Sequence, residues 1–391
     1  MNITQHDLSI WADVSPSQWY DWHWQLKNVI NNPNNIKELF GNEIWMEDVN
    51  CDAFGFNTKI TPFLALTIYR LVKKGDLREA NAIINAFVPK EVEVVTTASK
   101  DTDGIGEENK CVKPVPLVTN FYKNRVLLFA SNTCPVHCRF CFRRRKVGSL
   151  LGGNVEKGTN TQSLELALDH IAKDETIQEV IVSGGDPLML SDARLARLLR
   201  RLRTIDHVKV LRIDTKSFTS VPQRITRDLV DMLGTLKPLY MVGNILHGAE
   251  LTSETLNAIS LMIDAGIPVF SHTPLLRGVN DDVQILVELM WKLYTNRIIP
   301  YYLIQFIPTK WTEHFRVPIV EGLKIMEELN KLLPGIACPK YIVYLPEGAG
   351  KVPIQPNYLI ECSEEGYIFR NFEGRDVLYE EKMIHDMSTY L

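Results

Sequence analysis

The chain has 391 residues, and its 43 Lys and Arg side chains nearly balance its 47 Asp and Glu side chains. This balance gives no sign of a nucleic-acid groove or of a polybasic membrane patch. The sequence has no apolar run of transmembrane length, and it begins with polar residues rather than a signal peptide. We therefore expect a cytoplasmic protein that binds neither nucleic acid nor membranes.

The first part of the chain has the apolar periodicity of helices. A Ser-Pro cap and a glycine break divide it, which predicts helices over residues 15–30, Pro62–Lys74 and Leu77–Phe87. Residues 96–118 are polar and rich in Thr, Gly, Glu and Pro, as in a linker. We therefore predict an N-terminal helical region and linker over residues 1–118.

From residue 125 onward, short apolar and β-branched segments alternate with helical patterns. The predicted strands are Arg125–Ser131, Glu179–Ser183, Val208–Ile213, Leu239–Asn244, Ile267–Ser271 and Tyr301–Ile307. The predicted helices are residues 161–174, 192–204, 224–234, 252–265 and 281–297. Such alternation is typical of βαβ units with a parallel sheet. It predicts an α/β fold, a partial (β/α)6 barrel with six of the eight units of a TIM barrel, over residues 119–310.

The last part of the chain, residues 311–391, has a different pattern. From about residue 340 it predicts a strand at Tyr341–Leu345, a glycine-containing turn, short strands and a terminal helix. We expect this C-terminal extension to cover the open side of the partial barrel.

Three cysteines stand close together in the segment Cys134-Pro-Val-His-Cys138-Arg-Phe-Cys141. This C-x3-C-x2-C spacing suits a [4Fe–4S] cluster, because cluster irons are ligated by cysteine sulfur. Three thiolates leave the fourth iron open to another ligand, which makes the cluster a reaction centre. The alternatives are a zinc site that lacks a ligand and a chance grouping of core cysteines. Zinc motifs more often combine a C-x2-C pair with a second, distant pair.

The residues around this motif resemble a known group of enzymes. C-x3-C-x2-C is the signature of the radical S-adenosylmethionine (SAM) enzymes. The longer run from Arg125 through the cysteines to Arg145 resembles the lysine 2,3-aminomutase family, which adds pyridoxal phosphate (PLP) to the same chemistry. Other segments extend this resemblance over nearly the whole chain: Asp21–Lys27, Ser183–Pro187, Pro222–Thr226, Leu276–Asp282, Gly348–Lys351 and Arg370–Gly374.

The resemblance implies an isomerase that holds a [4Fe–4S] cluster, SAM and PLP. In this family the reduced cluster cleaves SAM to a 5′-deoxyadenosyl radical, which takes a hydrogen atom from Cβ of an amino acid bound to PLP. The amino group then moves from C2 to C3, the hydrogen returns, and SAM is regenerated. The expected partners are a small amino-acid substrate and an external one-electron reductant of the flavodoxin or ferredoxin type. We also expect a homo-oligomer.

The turn Ser183-Gly184-Gly185-Asp186 follows the second predicted strand. In parallel α/β barrels the chemistry lies at this end of the strands. Two adjacent glycines allow the backbone to approach a ligand closely and to donate its N–H groups. The resemblance implies that this turn contacts the amino group of SAM.

Lys351 ends the segment Pro346-Glu-Gly-Ala-Gly-Lys351. A lysine in such a turn is by default a solvated surface residue. PLP, however, needs an amine for its Schiff base, and small neighbours give that amine room. The resemblance implies that Lys351 is the PLP lysine, because it matches the end of the family's glycine-rich run. Ala349 and Glu347 each stand where that run has a glycine.

The basic run after the cysteine motif begins with Arg143 and could be a solvated surface. A planar guanidinium binds a carboxylate through two hydrogen bonds, and the resemblance implies that Arg143 binds the substrate carboxylate. The resemblance also assigns Arg125 to the PLP phosphate. Phe121 replaces a second phosphate-binding arginine of the family, so phosphate binding must be rearranged, through Lys123 or another residue.

Lysine-acting members of the family hold the distal ammonium group with two aspartates, and the matching positions here are Ile307 and Tyr344. Burying an ammonium group without a carboxylate is costly, so we expect a substrate with a neutral side chain. If the alignment is displaced, Lys310, Glu313 or Glu347 enters the pocket instead. Glutamate-acting members have a lysine and an asparagine at these positions, and this chain matches them no better.

Other functions remain open. The chain could be a lysine 2,3-aminomutase with relocated ammonium-binding residues, a glutamate- or arginine-type 2,3-aminomutase, or an enzyme that acts on a protein-bound or carrier-bound amino acid. A non-catalytic iron–sulfur electron carrier would leave Lys351 and the Ser183–Pro187 turn without a role. Only Cys362 follows Lys351, where the family has zinc-binding cysteines, so we expect no structural zinc.

Overall fold

The computed structural model describes residues 4, 8–40, 56–95, 102–147, 161–363 and 365–381. Within these ranges the chain forms N-terminal helices, a ten-stranded sheet and a small three-stranded sheet. No helix in the described ranges is long and apolar enough to cross a membrane.

The helices described before the sheet are α1 Pro16–Trp19, α2 Trp22–Lys27, α3 Pro33–Phe40, α4 Pro62–Lys74, α5 Leu77–Phe87 and α6 Val92–Val95. Helices α4 and α5 have the predicted bounds. Gly75 ends α4 with a φ of 83°, a left-handed conformation that glycine adopts without strain. The predicted helix over residues 15–30 is divided, because the Asp21 carboxylate accepts the N–H of His23 and begins a second helix.

The ten strands of the large sheet pair in chain order: β1 Cys111–Val112, β2 Val115–Tyr122, β3 Arg125–Ser131, β4 Glu179–Gly184, β5 Val210–Thr215, β6 Leu239–Asn244, β7 Val269–Leu275, β8 Ile299–Gln305, β9 Lys340–Tyr344 and β10 Lys351–Pro353. Strands β3 to β9 run parallel. The six predicted strands are confirmed as β3 to β8, with some ends displaced by a few residues. Strand β9 adds a seventh parallel strand, which the sequence placed in the C-terminal extension.

The helices that accompany the parallel strands are α7 Thr161–Lys173, α8 Asp192–Arg203, α9 Ser217–Ser220, α10 Arg227–Gly234, α11 Ser253–Asp264, α12 Val283–Thr295 and α13 Ile319–Leu332. The five predicted helices are confirmed as α7, α8, α10, α11 and α12. Their apolar faces pack on outward-pointing strand residues such as Leu128, Val182 and Leu211, which are fully buried. This layer of helices on a mostly parallel sheet confirms the predicted α/β fold.

Strands β1 and β2 form an antiparallel hairpin at the edge of the sheet, although residues up to 118 were expected to be a linker. Pro114 and Pro116 favoured that expectation. Proline is nevertheless tolerated in turns and at the edges of sheets, where no ladder hydrogen bond is lost. The domain boundaries at residues 118 and 310 stay predictions.

The short strands expected after the glycine-containing turn are present. Strands β11 Leu359–Ser363, β12 Gly366–Arg370 and β13 Asp376–Glu380 form the small antiparallel sheet. The predicted terminal helix lies outside the described residues.

Side chains of the parallel strands alternate between the helix layer and the interior of the barrel. In β5, Leu211 and Ile213 are buried in the core under the helices. Arg212 and Asp214, on the opposite face, line an interior cavity. Because successive strand residues point to opposite faces, this arrangement places charged side chains inside the barrel.

The two ends of the sheet approach each other across this interior. The Tyr122 hydroxyl of β2 accepts the N–H of Lys351 of β10 at 2.9 Å. Residues 102–110, the roof loop, pack over this junction, and a Cβ at Gly106 would lie 2.4 Å from the backbone nitrogen of Gly348. The C-terminal segment and the roof loop thus cover the open side of the barrel.

Candidate active site

A cavity of about 370 Å³ occupies the interior of the barrel. It extends from the cysteine loop, beyond the end of β3, to Arg125 at the start of β3. Nearly all residues predicted to form a site line it: Arg125, Cys134, Cys138, Cys141, Arg143, Ser183, Gly184, Gly185, Ile307, Tyr344 and Lys351. The exception is Asp186. The structure therefore brings together residues from segments that are far apart in the sequence.

The N-terminal region holds the cysteine loop in place. The backbone N–H of His137 donates to the Lys59 carbonyl at 2.9 Å, and Lys59 Nζ donates to the Cys134 carbonyl at 2.7 Å. The fully buried guanidinium of Arg139 donates to both carboxylate oxygens of Glu93, at 2.8 and 2.7 Å. The residues between the cysteines thus fix the loop, and sequence reasoning did not assign them this role.

The three thiols share one buried environment. Burial raises the pKa of each thiol, to about 12 for Cys138, and Cys138 and Cys141 raise the pKa of Cys134 further. Among the described residues, no three His, Cys, Asp or Glu side chains are close enough to share a single metal ion. A [4Fe–4S] cluster binds each thiolate to a different iron, so its ligands stand farther apart than those of one ion. Three buried cysteine thiols beside one cavity are the type of donor that a [4Fe–4S] cluster takes.

The glycine turn after β4 is shaped by two close backbone approaches. A Cβ at Gly184, whose φ is 121°, would lie 2.4 Å from the Ser131 carbonyl oxygen, and a Cβ at Gly185 would lie 2.6 Å from that of Thr133. The Gly185 N–H donates to the Ser131 carbonyl at 2.5 Å, and the Asp186 N–H donates to Thr133 at 2.8 Å. The N–H groups of Gly185 and Asp186 are therefore already used within the protein, and the turn offers acceptors instead. The contact of this turn with SAM stays a prediction.

Asp186 lies beneath the turn rather than in the cavity. Its carboxylate accepts the hydroxyls of Thr215 and Ser217 at 2.9 Å and the backbone N–H of Lys216 at 2.8 Å. Burial raises the pKa of this carboxyl group, and these hydrogen bonds oppose the rise. Asp186 thus ties the turn to the end of β5.

Arg143 reaches the cavity but already has a strong partner. Its Nε and Nη2 contact Glu107 Oε1 at 2.8 and 2.6 Å. Its Nη1 donates to the Ser183 hydroxyl at 3.1 Å and to the Gly184 carbonyl at 3.3 Å. Glu107 is on the roof loop, and its side chain is 1% exposed. Sequence reasoning missed it, because nothing links residue 107 to residue 143 before the chain folds.

Lys351 points into an aromatic part of the cavity. Its Nζ lies 4.4 Å from the ring centre of Tyr302 and 5.8 Å from that of Tyr344. Burial and the positive charge of Arg212 lower the pKa of the amine to about 8, and Asp214 opposes them. The amine is therefore available in its neutral, nucleophilic form near physiological pH.

Arg212 and Asp214 on β5 are charged residues of the cavity that sequence reasoning missed. Arg212 Nε donates to Asp214 Oδ1 at 3.1 Å, and Arg212 Nη1 lies 3.2 Å from Glu179 Oε1 on β4. The period-two alternation of charged and apolar residues in β5 was the available signal. The two carboxylates thus compensate the buried guanidinium of Arg212, which would be costly without a partner.

His272 and Arg125, the residue predicted to bind the phosphate, both line the cavity. Burial lowers the pKa of His272 to about 3, so its imidazole is neutral, and its Nε2 has no hydrogen-bond partner among the described residues. Arg125 stacks 3.9 Å from the ring centre of Tyr122. Phe121 also lines the cavity, whereas Lys123 is exposed in the turn before β3.

Ile307 and Tyr344 line the cavity, as the alignment of the family positions requires. The residues that a displaced alignment would introduce lie elsewhere. Lys310 Nζ stacks on Trp311 at 4.3 Å, Glu313 pairs with Arg316 at 2.9 Å, and Glu347 is exposed. Of these residues, none lines the cavity.

Comparison with known proteins agrees with this geometry. The Radical SAM superfamily model matches residues 128–290, and the Lysine-2,3-aminomutase model matches residues 326–387. The L-lysine 2,3-aminomutase of Clostridium subterminale is 34% identical over 95% of this chain and 86% of its own length. That of Bacillus subtilis is 32% identical over 96% and 77%, and the glutamate 2,3-aminomutase of Clostridioides difficile is 30% identical over 99% and 88%.

The partial barrel and its cysteine motif define a radical SAM enzyme. Within that class the chain belongs to the lysine 2,3-aminomutase family, so it is a 2,3-aminomutase, an isomerase. The superfamily implies a [4Fe–4S] cluster and SAM, and PLP is typical of lysine aminomutases. The family also implies an amino-acid substrate.

Proposed function

We propose that this enzyme moves the α-amino group of an L-amino acid with a neutral side chain from C2 to C3, giving a β-amino acid. The observation that supports this proposal most directly is the composition of the cavity. Three cysteine thiols, Arg143 and Lys351 line one space, and Ile307 and Tyr344 add no charge to it.

The residues present fit the groups that the family implies. Cys134, Cys138 and Cys141 would hold the cluster, and the Lys351 amine would hold PLP. When bound, the cluster with SAM supplies a carbon-centred radical, and PLP supplies a conjugated ring that stabilises an unpaired electron. The hydroxyl of Ser183 and the carbonyl of Gly184 each accept one hydrogen bond from Arg143 Nη1, and each has a second lone pair to offer to the ammonium group of SAM.

The chain itself binds, orients and shields the substrate. Arg143 would hold the substrate carboxylate, which fixes Cα and Cβ relative to the radical source. The roof loop, which carries the buried Ile105 of the cavity wall, keeps water away from the reacting atoms. Arg125 would contact the phosphate of PLP, because it lines the cavity with its charge over Tyr122.

A cationic side chain would find no free carboxylate in this space. Among the described residues that line the cavity, the carboxylates are Glu179 and Asp214, and both pair with Arg212. Recruiting either one for a lysine ammonium group would leave the Arg212 guanidinium with less compensation, which is unfavourable in a buried site. This pairing supports a neutral substrate over lysine.

An anaerobic screen of the common L-amino acids, with SAM, PLP and dithionite, tests the proposal. We expect a β-amino acid from at least one neutral substrate and little β-lysine from lysine. Efficient turnover of lysine alone would contradict the neutral pocket, and no turnover of any free amino acid would favour a protein-bound substrate.

The double variant Ile307→Asp with Tyr344→Asp tests the pocket directly. It restores two carboxylates, so it should gain lysine turnover and lose the native reaction. Each single variant should do less, because one carboxylate compensates the ammonium group only in part and must itself be buried. The change in relative specificity should be of the order of a few kcal/mol. Unchanged specificity in the double variant would mean that these positions do not contact the side chain.

A further inference from the structure

The roof loop contributes a buried carboxylate to the site that the family resemblance did not indicate. Glu107 Oε1 lies 2.8 Å from Arg143 Nε and 2.6 Å from Arg143 Nη2, so one oxygen spans one edge of the guanidinium. The side chains of Glu107 and Arg143 are 1% and 11% exposed. Such a charge-assisted, two-point contact in a buried place fixes the orientation of a guanidinium strongly.

Three neighbouring side chains hold Glu107 in place. Its Oε2 lies 3.2 Å from Arg145 Nη2 and 3.9 Å from Lys146 Nζ. Its backbone N–H donates to Asp103 Oδ1 at 3.0 Å. The loop cannot shift easily either, because a Cβ at Gly106 would lie 2.4 Å from the Gly348 nitrogen and one at Gly104 would lie 2.4 Å from the Pro308 carbonyl oxygen. The carboxylate is therefore a rigid support.

The Glu107 carboxylate determines which side of the Arg143 guanidinium faces a ligand. Glu107 occupies the edge formed by Nε and Nη2. The Nη1 side donates to the Ser183 hydroxyl and the Gly184 carbonyl, at 3.1 and 3.3 Å, and both of these residues line the cavity. A carboxylate that enters the cavity would meet the guanidinium from this side, where it would replace one of these two longer contacts of Nη1.

We infer that Glu107 is a positioning residue, which presents the Nη1 side of Arg143 to the carboxylate of the amino-acid substrate. The inference rests on the proposed function, in which Arg143 binds that carboxylate. Glu107 also neutralises part of the charge of the basic run, so Arg143 remains in place when no substrate is bound. A purely structural ion pair would instead only close the roof loop, and the two roles predict different results for a substrate without a carboxylate.

Binding of L-norleucine and of its carboxamide, L-norleucinamide, separates these roles. Norleucine has a neutral side chain and a carboxylate, and norleucinamide has a neutral carboxamide of similar size in place of that carboxylate. Both are titrated into the enzyme reconstituted with its cluster, PLP and SAM, without reductant, so that no turnover occurs. The change in visible absorbance of bound PLP reports binding. The wild type should prefer norleucine.

Glu107→Gln should weaken norleucine binding by about tenfold to a hundredfold, the usual effect of a displaced binding group, and should leave norleucinamide nearly unchanged. Glu107→Asp keeps the charge but shortens the side chain by one methylene, so it should lose part of the preference for norleucine over norleucinamide. This second variant keeps the test valid if the Gln variant misfolds. Glu108→Gln is the matched control, because Glu108 is on the same loop but contacts Arg145 and Lys146 rather than Arg143. It should keep the full preference.

The two possible failures are distinguishable. If the wild type binds both compounds equally or binds neither, the carboxylate-binding role of Arg143 fails, and with it the proposed function and this inference. If the wild type prefers norleucine and the folded Glu107 variants keep that preference, or weaken both compounds equally, Glu107 has only a structural role and the inference is overturned.

Discussion

Replacing Arg212 with Gln should raise the pKa of the Lys351 amine. Burial and then the positive charge of Arg212 lower this pKa to about 8, whereas Asp214 raises it. In the variant the repulsion disappears, and Asp214 and Glu179 lose the cation with which they pair. A nearby charge shifts a pKa by about one to three units, so a rise of at least about one unit is expected.

The rate at which the apoenzyme captures PLP measures this change, because only the neutral amine attacks the aldehyde. In the wild type the rate should rise as the pH approaches about 8 and level off above it. In Arg212→Gln the rise should move to higher pH, which lowers the rate at neutral pH about tenfold or more. Asp214→Asn should move the rise in the opposite direction, because it removes a charge that favours the ammonium form.

Stopped-flow absorbance after mixing with saturating PLP follows the reaction, with Lys351→Ala as the baseline. Arg203→Gln is a matched control, because Arg203 is a partly buried arginine that donates to the Leu236 carbonyl outside the cavity. Its midpoint should equal that of the wild type. Equal midpoints in all variants, or shifts in the same direction for Arg212→Gln and Asp214→Asn, would refute the electrostatic reasoning.

Two further predictions concern the cluster and the glycine turn. Anaerobically reconstituted wild type should bind about four irons per chain, and Cys138→Ala should not cleave SAM; 5′-deoxyadenosine from that variant would contradict the cluster assignment. Gly184→Ala should lower the free energy of unfolding in urea by at least about 1–3 kcal/mol, because its Cβ would meet the Ser131 carbonyl oxygen at a positive φ. Gly335→Ala, where a Cβ meets nothing, should be nearly neutral, and equal losses would contradict the prediction.

The regular elements could be predicted because each carries its own period. Helices α4 and α5 repeat apolar residues at helical spacing, strands β3 to β8 are short apolar and β-branched segments, and Gly75 marks a boundary by its conformation. Pairing between strands that are far apart in the sequence leaves no such pattern in either segment. The place of β9 as a seventh parallel strand depends on its contact with β8 across α13, and the hairpin of β1 and β2 depends on the edge that β3 offers.

The residues of the site likewise include some that the sequence predicts and some that only the folded structure reveals. The cysteines stand in a motif whose spacing indicates a cluster, whereas the roles of Arg143 and Lys351 come from the family resemblance, and the structure places all of these residues around one cavity. Glu107 has no motif, and its contact with Arg143 exists only after the roof loop covers the barrel. The glycine turn shows a third case, because the motif was recognised but its hydrogen bonds were not: Gly185 donates to Ser131 and not to a ligand.

The charges inside the barrel connect the cofactor and the choice of substrate. Most cations of the cavity have a partner: Arg143 pairs with Glu107, Lys216 with Glu250, and Arg212 with Glu179 and Asp214. Arg125 and Lys351 differ, because each lies over a tyrosine ring, Tyr122 and Tyr302 respectively, and neither has an ion pair among the described residues. A half-buried guanidinium without an anion is unfavourable, so the phosphate of PLP would be most stabilised beside it. A lysine side chain would instead add a further cation without a carboxylate partner. This distribution of charge supports the proposed neutral substrate over a cationic one.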